Sequence, residues 1–310
     1  MNTRQAFLIA RYSARHSVRG GVGLVFLLLS LTFGLMVAHL TLQPVELISE
    51  QVKEFMVSRD AQEVRVEVLE QLVEEAQPVI SWILAKRDSG DKDTDRAESK
   101  QADAWAVYLL KERPAMLSAI FLILLFGWPL IVAFGAFDLY AGDVSSRQLR
   151  YQLLRADRGS IYFGRLLGTL ITFLIVLVLL GTTVSIYMGA KLPLYGWGNL
   201  FSWTIYGICA LAIATLPYVA LCAWISSTIG GSFASLTIVS LIIGGVPLIT
   251  MIAQSTYEPA GYLNYVLPWG FQTRLFHHEP MQVALACGGC ILQTLFFGWL
   301  GYRKFTRRDL

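Results

Sequence analysis

The side chains best suited to chemistry in this sequence are two thiols and two imidazoles: Cys287-Gly-Gly-Cys290, with His277, His278 and Met281 just ahead of it. Thiolate, thioether and imidazole ligands suit copper, and paired thiols suit electron exchange. Against that chemistry, the Cys-x-x-Cys lies inside an apolar run with no strand-to-helix setting, and cysteines are common packing residues in apolar surroundings. His277-His278 beside Glu279 reads more simply as a solvated interfacial turn. An intramembrane hydrolase would need a Ser or Asp nucleophile with a base partner inside a membrane span. The long apolar runs contain no Asp, Glu or Lys and only one histidine, His39, near the end of the first.

The remaining cluster is basic. Arg147, Arg150, Arg155, Arg158 and Arg165 crowd the stretch GDVSSRQLRYQLLRADRGSIYFGRLLG, residues 142–168. Leu149, Leu153 and Leu154 fall on one helical face among these arginines, so the stretch reads as a short amphipathic helix followed by a second helix. Holding a loop on the cytoplasmic side would account for the charge. It would not account for the apolar face or the length. Arginine forks suit carboxylates, and an apolar face supplies docking area.

The elements that must position this stretch are set by composition. Of 310 residues, 55% are hydrophobic and 15% charged, where a soluble domain carries about 25% charged residues. Four cysteines give no disulfide framework. Six runs are long and apolar enough to cross a bilayer as helices: 21–42, 116–137, 166–189, 200–225, 233–254 and 281–302. Trp, Tyr and Pro crowd the joints in KLPLYGWGNLFSW and YLNYVLPWGF, as rings at a headgroup layer do. The first run exceeds a secretory signal's apolar core, so a retained anchor is expected. The expected fold is therefore an all-α integral membrane protein with six transmembrane helices.

Charge orients it. Residues 1–20, the loop 138–165 and the tail 303–310 together hold thirteen basic residues and four acids, whereas 43–115 holds sixteen acids against ten bases. The positive side faces the cytoplasm, which predicts both termini inside and 43–115 outside. Residues 3–19 read as a helix begun at Thr3, with Arg4, Arg11, Arg15 and Arg19 on one stripe and Ala6, Ile9 and Ala10 opposite. Two readings fit it: a helix lying on the cytoplasmic membrane surface, or an orienting basic segment. In the outer insertion, Val66, Leu69, Val73, Ala76, Ile80, Ile83 and Leu84 keep helical spacing, and 87–103 reads as a solvated linker ahead of Pro114.

In its topology, and in the motifs of the loop and tail, the chain resembles the permease subunits of ABC-2 type transporters. In that family the second span is followed by an acid, a leucine-rich helix, a turn and a Gly-Lys entering the third span. Here those positions are Asp143, Leu149 to Leu154, Asp157-Arg158 and Gly164-Arg165, and FTRRDL matches a Phe-x-x-Arg-Asp-Leu ending. Ser146-Arg147-Gln148 stands where the family has Gly-Thr, and no Pro precedes the turn.

The resemblance implies a coupling helix docking on a separate ATP-binding subunit through Asp143, Arg147, Leu149, Arg150, Leu153, Leu154, Arg155, Arg158 and Arg165. Ser227, Gly230 and Gly231 would form a second contact. No Gly-x-x-x-x-Gly-Lys-Ser/Thr occurs in these residues, so ATP and Mg belong to the partner and no cofactor is expected here. Six spans suggest pairing with a second copy or a related permease, helped by Gly244-Gly245 and Gly288-Gly289. The expected setting is a bacterial inner membrane, with membrane lipid as a partner and no nucleic acid. The expected activity is export. Its alternative is a scaffold that passes ATP-driven motion to an extracytoplasmic protein through 43–115. Metal or redox chemistry at Cys287, Cys290, His277 and His278, and intramembrane hydrolysis, rank below both.

Overall fold

The computed structural model describes residues 3–19, 22–55, 68, 70–78, 80–81, 102–145, 148–192, 195–256 and 263–307. Arg147, residues 56–67, 69, 79 and 82–101 with Val66, Leu69, Ile83 and Leu84, and residues 308–310 lie outside the described residues, as do the side chains of Arg19 and Arg150. The described chain is 91% helical, with no strand. Six helices are long and apolar enough to cross a membrane, spanning Gly23–Ile48, Ala115–Val144, Arg158–Lys191, Trp197–Thr228, Ser232–Gln254 and Pro280–Arg307. Uninterrupted apolar sequence forces this form, because only a helix satisfies its own backbone in a bilayer.

In chain order the elements are α1 (Thr3–Arg19), α2 (Val22–Phe55), a π-helical turn Tyr108–Glu112, α3 (Ala115–Ala136), α4 (Ala141–Ser145), α5 (Gln148–Leu153), α6 (Arg158–Lys191) and α7 (Trp197–Thr228). Then come α8 (Ser232–Ser240), a π-helical turn Leu241–Gly245, α9 (Val246–Thr256), α10 (Leu263–Val266), α11 (Trp269–Gln272), a 3-10 turn Thr273–Phe276 and α12 (Pro280–Arg307). The expected spans are all present, but several helices overrun them. The helix of the third span starts at Arg158, so the last part of the basic stretch, 158–168, runs into the span as one helix. The helix of the first span continues past Leu42 to Phe55, because the sequence after Pro44 is polar yet helix-forming.

The centre of the bundle is α7 with α3: 67% and 61% of their apolar stretches are buried, against 18% for the span from Ser232 to Gln254. On one flank α1 and α2 run along α6. Phe26 meets Phe173 edge to face at 5.0 Å, the His39 ring is within hydrogen-bonding distance of the Tyr187 hydroxyl at 3.1 Å, and Lys191 pairs with Glu46 at 3.0 Å. His39 is therefore partnered.

The start of α6 can approach α1 because both are small at the crossing. A Cβ on Gly164 would stand 2.8 Å from the Ala6 carbonyl oxygen, and one on Gly168 would stand 2.7 Å from that of Ala10. Ala6 and Ala10 are buried, with Ile9 half-buried beside them.

At the end of the bundle far from α1, the last residues of the insertion fold back onto the approach to α12. The Trp105 indole donates to the Phe276 carbonyl at 2.7 Å, and its ring lies 4.7 Å from His277. Arg113 sits over the Tyr108 and Trp203 rings, at 5.0 and 5.1 Å. Deeper in, Tyr206 donates to the Leu275 carbonyl and Tyr218 to the Gln272 side-chain oxygen, both at 2.6 Å.

Candidate functional site

The end of the bundle that carries α1 also gathers the loop after α3, the turn after α7 and the last turns of α12. When α3 stops at Ala136, the chain turns through Tyr140 into α4, whose first N–H groups need acceptors. Ser226, fully buried near the end of α7, supplies one: its hydroxyl oxygen accepts the backbone N–H of Tyr140 at 2.8 Å and of Ala141 at 2.9 Å. Tyr140 is wholly buried and donates to the Tyr162 carbonyl at 2.7 Å. Its ring stacks on that of Tyr162, with centroids 5.2 Å apart and planes 8° off parallel. Phe305 from α12 packs on both rings, and the Tyr162 hydroxyl reaches the Gly298 carbonyl at 3.1 Å. The loop turn, α6, α7 and α12 thus meet in one aromatic knot.

Arg165 locks the two short helices onto α6. It forms an ion pair with Asp143, donates to the Leu139 carbonyl at 3.1 Å and donates to the Gln152 side-chain oxygen at 3.0 Å. A single guanidinium has donors enough for all three directions. Arg158 donates to the Thr306 carbonyl in the last turn of α12, where the unpaired carbonyls of a helix end attract cations. Asp138 accepts a hydrogen bond from Ser232 at 2.6 Å, and the Ser235 hydroxyl donates to the Phe137 carbonyl at 2.7 Å, joining the start of α8 to the same turn.

The site residues expected from the sequence therefore divide into two groups. Asp143 and Arg165 face each other, and Arg158 faces α12, so these three hold the loop instead of pointing at a partner. Leu149 is wholly buried in the core and Leu153 is half-buried, whereas Leu154 is 83% exposed and Tyr151 74% exposed. The three leucines do not share a face: at 100° per residue Leu153 lies about 40° round from Leu149 but Leu154 about 140°, and α5 ends at Leu153, where the N–H groups of Arg155 and Ala156 both bond back to the Gln152 carbonyl. The outward surface is Tyr151, Leu154 and Arg155, beside an open cleft of about 580 Å³ that Gln5, Leu153, Asp157 and Arg158 also line.

In the turn after α7, Ser227 is buried and donates to the Trp224 carbonyl at 2.8 Å, so it is not an outward contact. Gly230 is exposed, and nothing lies within 4 Å of a Cβ built on Gly231. The neighbour of Ser227, Ser226, also in the last turns of α7, is the serine that bonds to the loop after α3. Reading the sequence did not single out Tyr140, Tyr162 or Phe305, and it placed Ser226 only at the edge of the second contact loop, residues 226–232. The sole hint was an aromatic residue at each junction of loop and span.

Cys290 is buried and Cys287 half-buried on α12. His277 and His278 stack on each other at 4.4 Å in the preceding turn. Among the described residues no group of three or more His, Cys, Asp or Glu side chains could hold a metal ion.

No protein-family profile and no curated protein matches this chain.

Proposed function

We propose that this chain is the membrane subunit of an ATP-driven transporter of the ABC-2 type, an exporter that takes its energy from a separate ATP-binding subunit docked on the loop after α3. The observation that carries the proposal is the joint: one exposed patch, Tyr151, Leu154 and Arg155, sits on α5 and the turn after it, in a loop bonded through Tyr140, Ser226 and Arg165 to α6 and α7 and packed against α12 through Phe305. A push on that patch is delivered to α6, α7 and α12 together, because packed interiors pass displacement on without absorbing it. A loop that served only to keep positive charge inside would need neither the buried tyrosine pair nor the arginine fork.

The test is whether an ATP-binding cassette protein co-purifies with the full-length chain from its native membrane. Tyr151→Asp combined with Leu154→Asp places two charges on the patch without entering the core, so the complex should be lost while the membrane subunit keeps its yield and unfolding temperature. Retention of the complex by that variant would refute the docking surface.

The seating of Trp105, Tyr108 and Arg113 on Trp203 and the Phe276-His277 turn favours a second reading, in which the motion is passed to an extracytoplasmic protein through the insertion. Transport of a solute into vesicles holding the purified complex, with no outer protein added, would decide for export.

A further inference from the structure

One charged and apolar surface has no role in that account, the outward side of α1. Its inner side is occupied: Ala6 and Ala10 lie against Gly164 and Gly168, one turn apart on each helix. This contact fixes the height of α1. Gly164 and Gly168 bracket Leu166, where the apolar run of the third span begins, so the Ala6–Ser13 stretch of α1 that meets them stands beside the start of that run, where acyl chains give way to headgroups. Around the helix at 100° per residue, Arg4, Arg11 and Arg15 cluster within about 40° on the side away from the glycines. All three are exposed. Phe7, 66% exposed, lies on one flank of that stripe, and Leu8, 57% exposed, on the other. No Asp or Glu occurs in residues 3–19.

We infer that α1 binds the headgroups of anionic phospholipids in the leaflet at this end of the bundle and, through the Ala6/Ala10 and Gly164/Gly168 contact, holds the start of the third span at a fixed depth. The complementarity is chemical. Arginines fork onto phosphate, the flanking apolar side chains enter the acyl boundary as those of interfacial helices do, and a negatively charged leaflet attracts each nearby basic side chain. The height set by the glycine contact favours a lipid surface over a soluble acidic protein. The inference does not depend on the identity of any ATPase, and its test contains none.

The experiment uses the full-length protein, delipidated in neutral detergent and titrated with phosphatidylglycerol or with phosphatidylcholine while its unfolding temperature is followed. Phosphatidylglycerol should raise that temperature at lipid ratios where phosphatidylcholine does not, and high salt should remove the difference. In Arg11→Gln combined with Arg15→Gln, the concentration of phosphatidylglycerol giving half the effect should rise about fivefold for each arginine lost, and Arg11→Lys with Arg15→Lys should largely restore it. Equal responses of the wild type to the two lipids would overturn the inference. So would an unchanged phosphatidylglycerol titration in the glutamine variant; if that variant then loses a co-purifying protein, the stripe is a protein contact. If the glutamine variant does not fold, the salt dependence of the wild type decides alone.

Discussion

Ser226 is the residue on which the joint turns. Its one hydroxyl oxygen accepts two buried backbone N–H groups, and an unsatisfied buried donor costs about 1–3 kcal/mol. Ser226→Ala should therefore destabilise the protein by about 2 kcal/mol or more, read by thermal unfolding in detergent, and should uncouple the loop from α7. Ser227→Ala removes donors to carbonyls that are already bonded within helices, so it should cost less than 1 kcal/mol. Equal effects of the two changes would remove the special role of Ser226. Arg165 makes a related prediction. Arg165→Met strands Asp143, so it should cost less in an Asp143→Asn background than alone, and the difference measures the coupling of the pair. Additive effects would mean that the ion pair does not hold the loop.

At the scale of elements, the crossing of α1 with α6 works because two glycines face two alanines. Gly168→Leu forces a side chain into the Ala10 backbone and should cost about 1–3 kcal/mol, with faster tryptic cleavage at Arg11. Gly198→Leu, with nothing within 4 Å of its Cβ, should be neutral by both measures. The buried face of α1 was legible in the sequence, since Ala6 and Ala10 stand opposite the arginine stripe, and so were the six spans, whose signal is local and long. The orientation of α5 was not. Leu149 and Leu153, four apart, share a helical face, but Leu154 lies about 140° round from Leu149 even in an unbroken helix, so grouping all three leucines overreached the periodicity. The role of Ser226 was illegible for a different reason: the serine's partners are some 85 residues away in sequence, and nothing local marks a serine as the cap of a distant helix. In the sequence Asp143 and Arg165 read as outward contacts, whereas they pair with each other; charge pattern alone cannot tell an internal pair from an outward one.

For the molecule as a whole, two ends are built differently. One end ties the loop to three spans through hydrogen bonds and stacked rings, and the other clamps the insertion's last helical residues onto the approach to α12 through Trp105. Trp105→Ala removes the indole bond to Phe276 and the contact with His277, so tryptic cleavage after Lys111 should accelerate severalfold while the unfolding temperature of the bundle changes little; an unchanged rate would show that the clamp does not depend on this side chain.

The account as a whole requires the loop with Tyr151 and Leu154 to lie on the cytoplasmic face. Labelling Leu154→Cys, in a chain whose Cys209, Cys222, Cys287 and Cys290 are replaced by Ala, with a membrane-impermeant maleimide tests this directly. Label should enter in inverted membrane vesicles and not in intact cells; reaction in intact cells would place the loop outside and contradict the account.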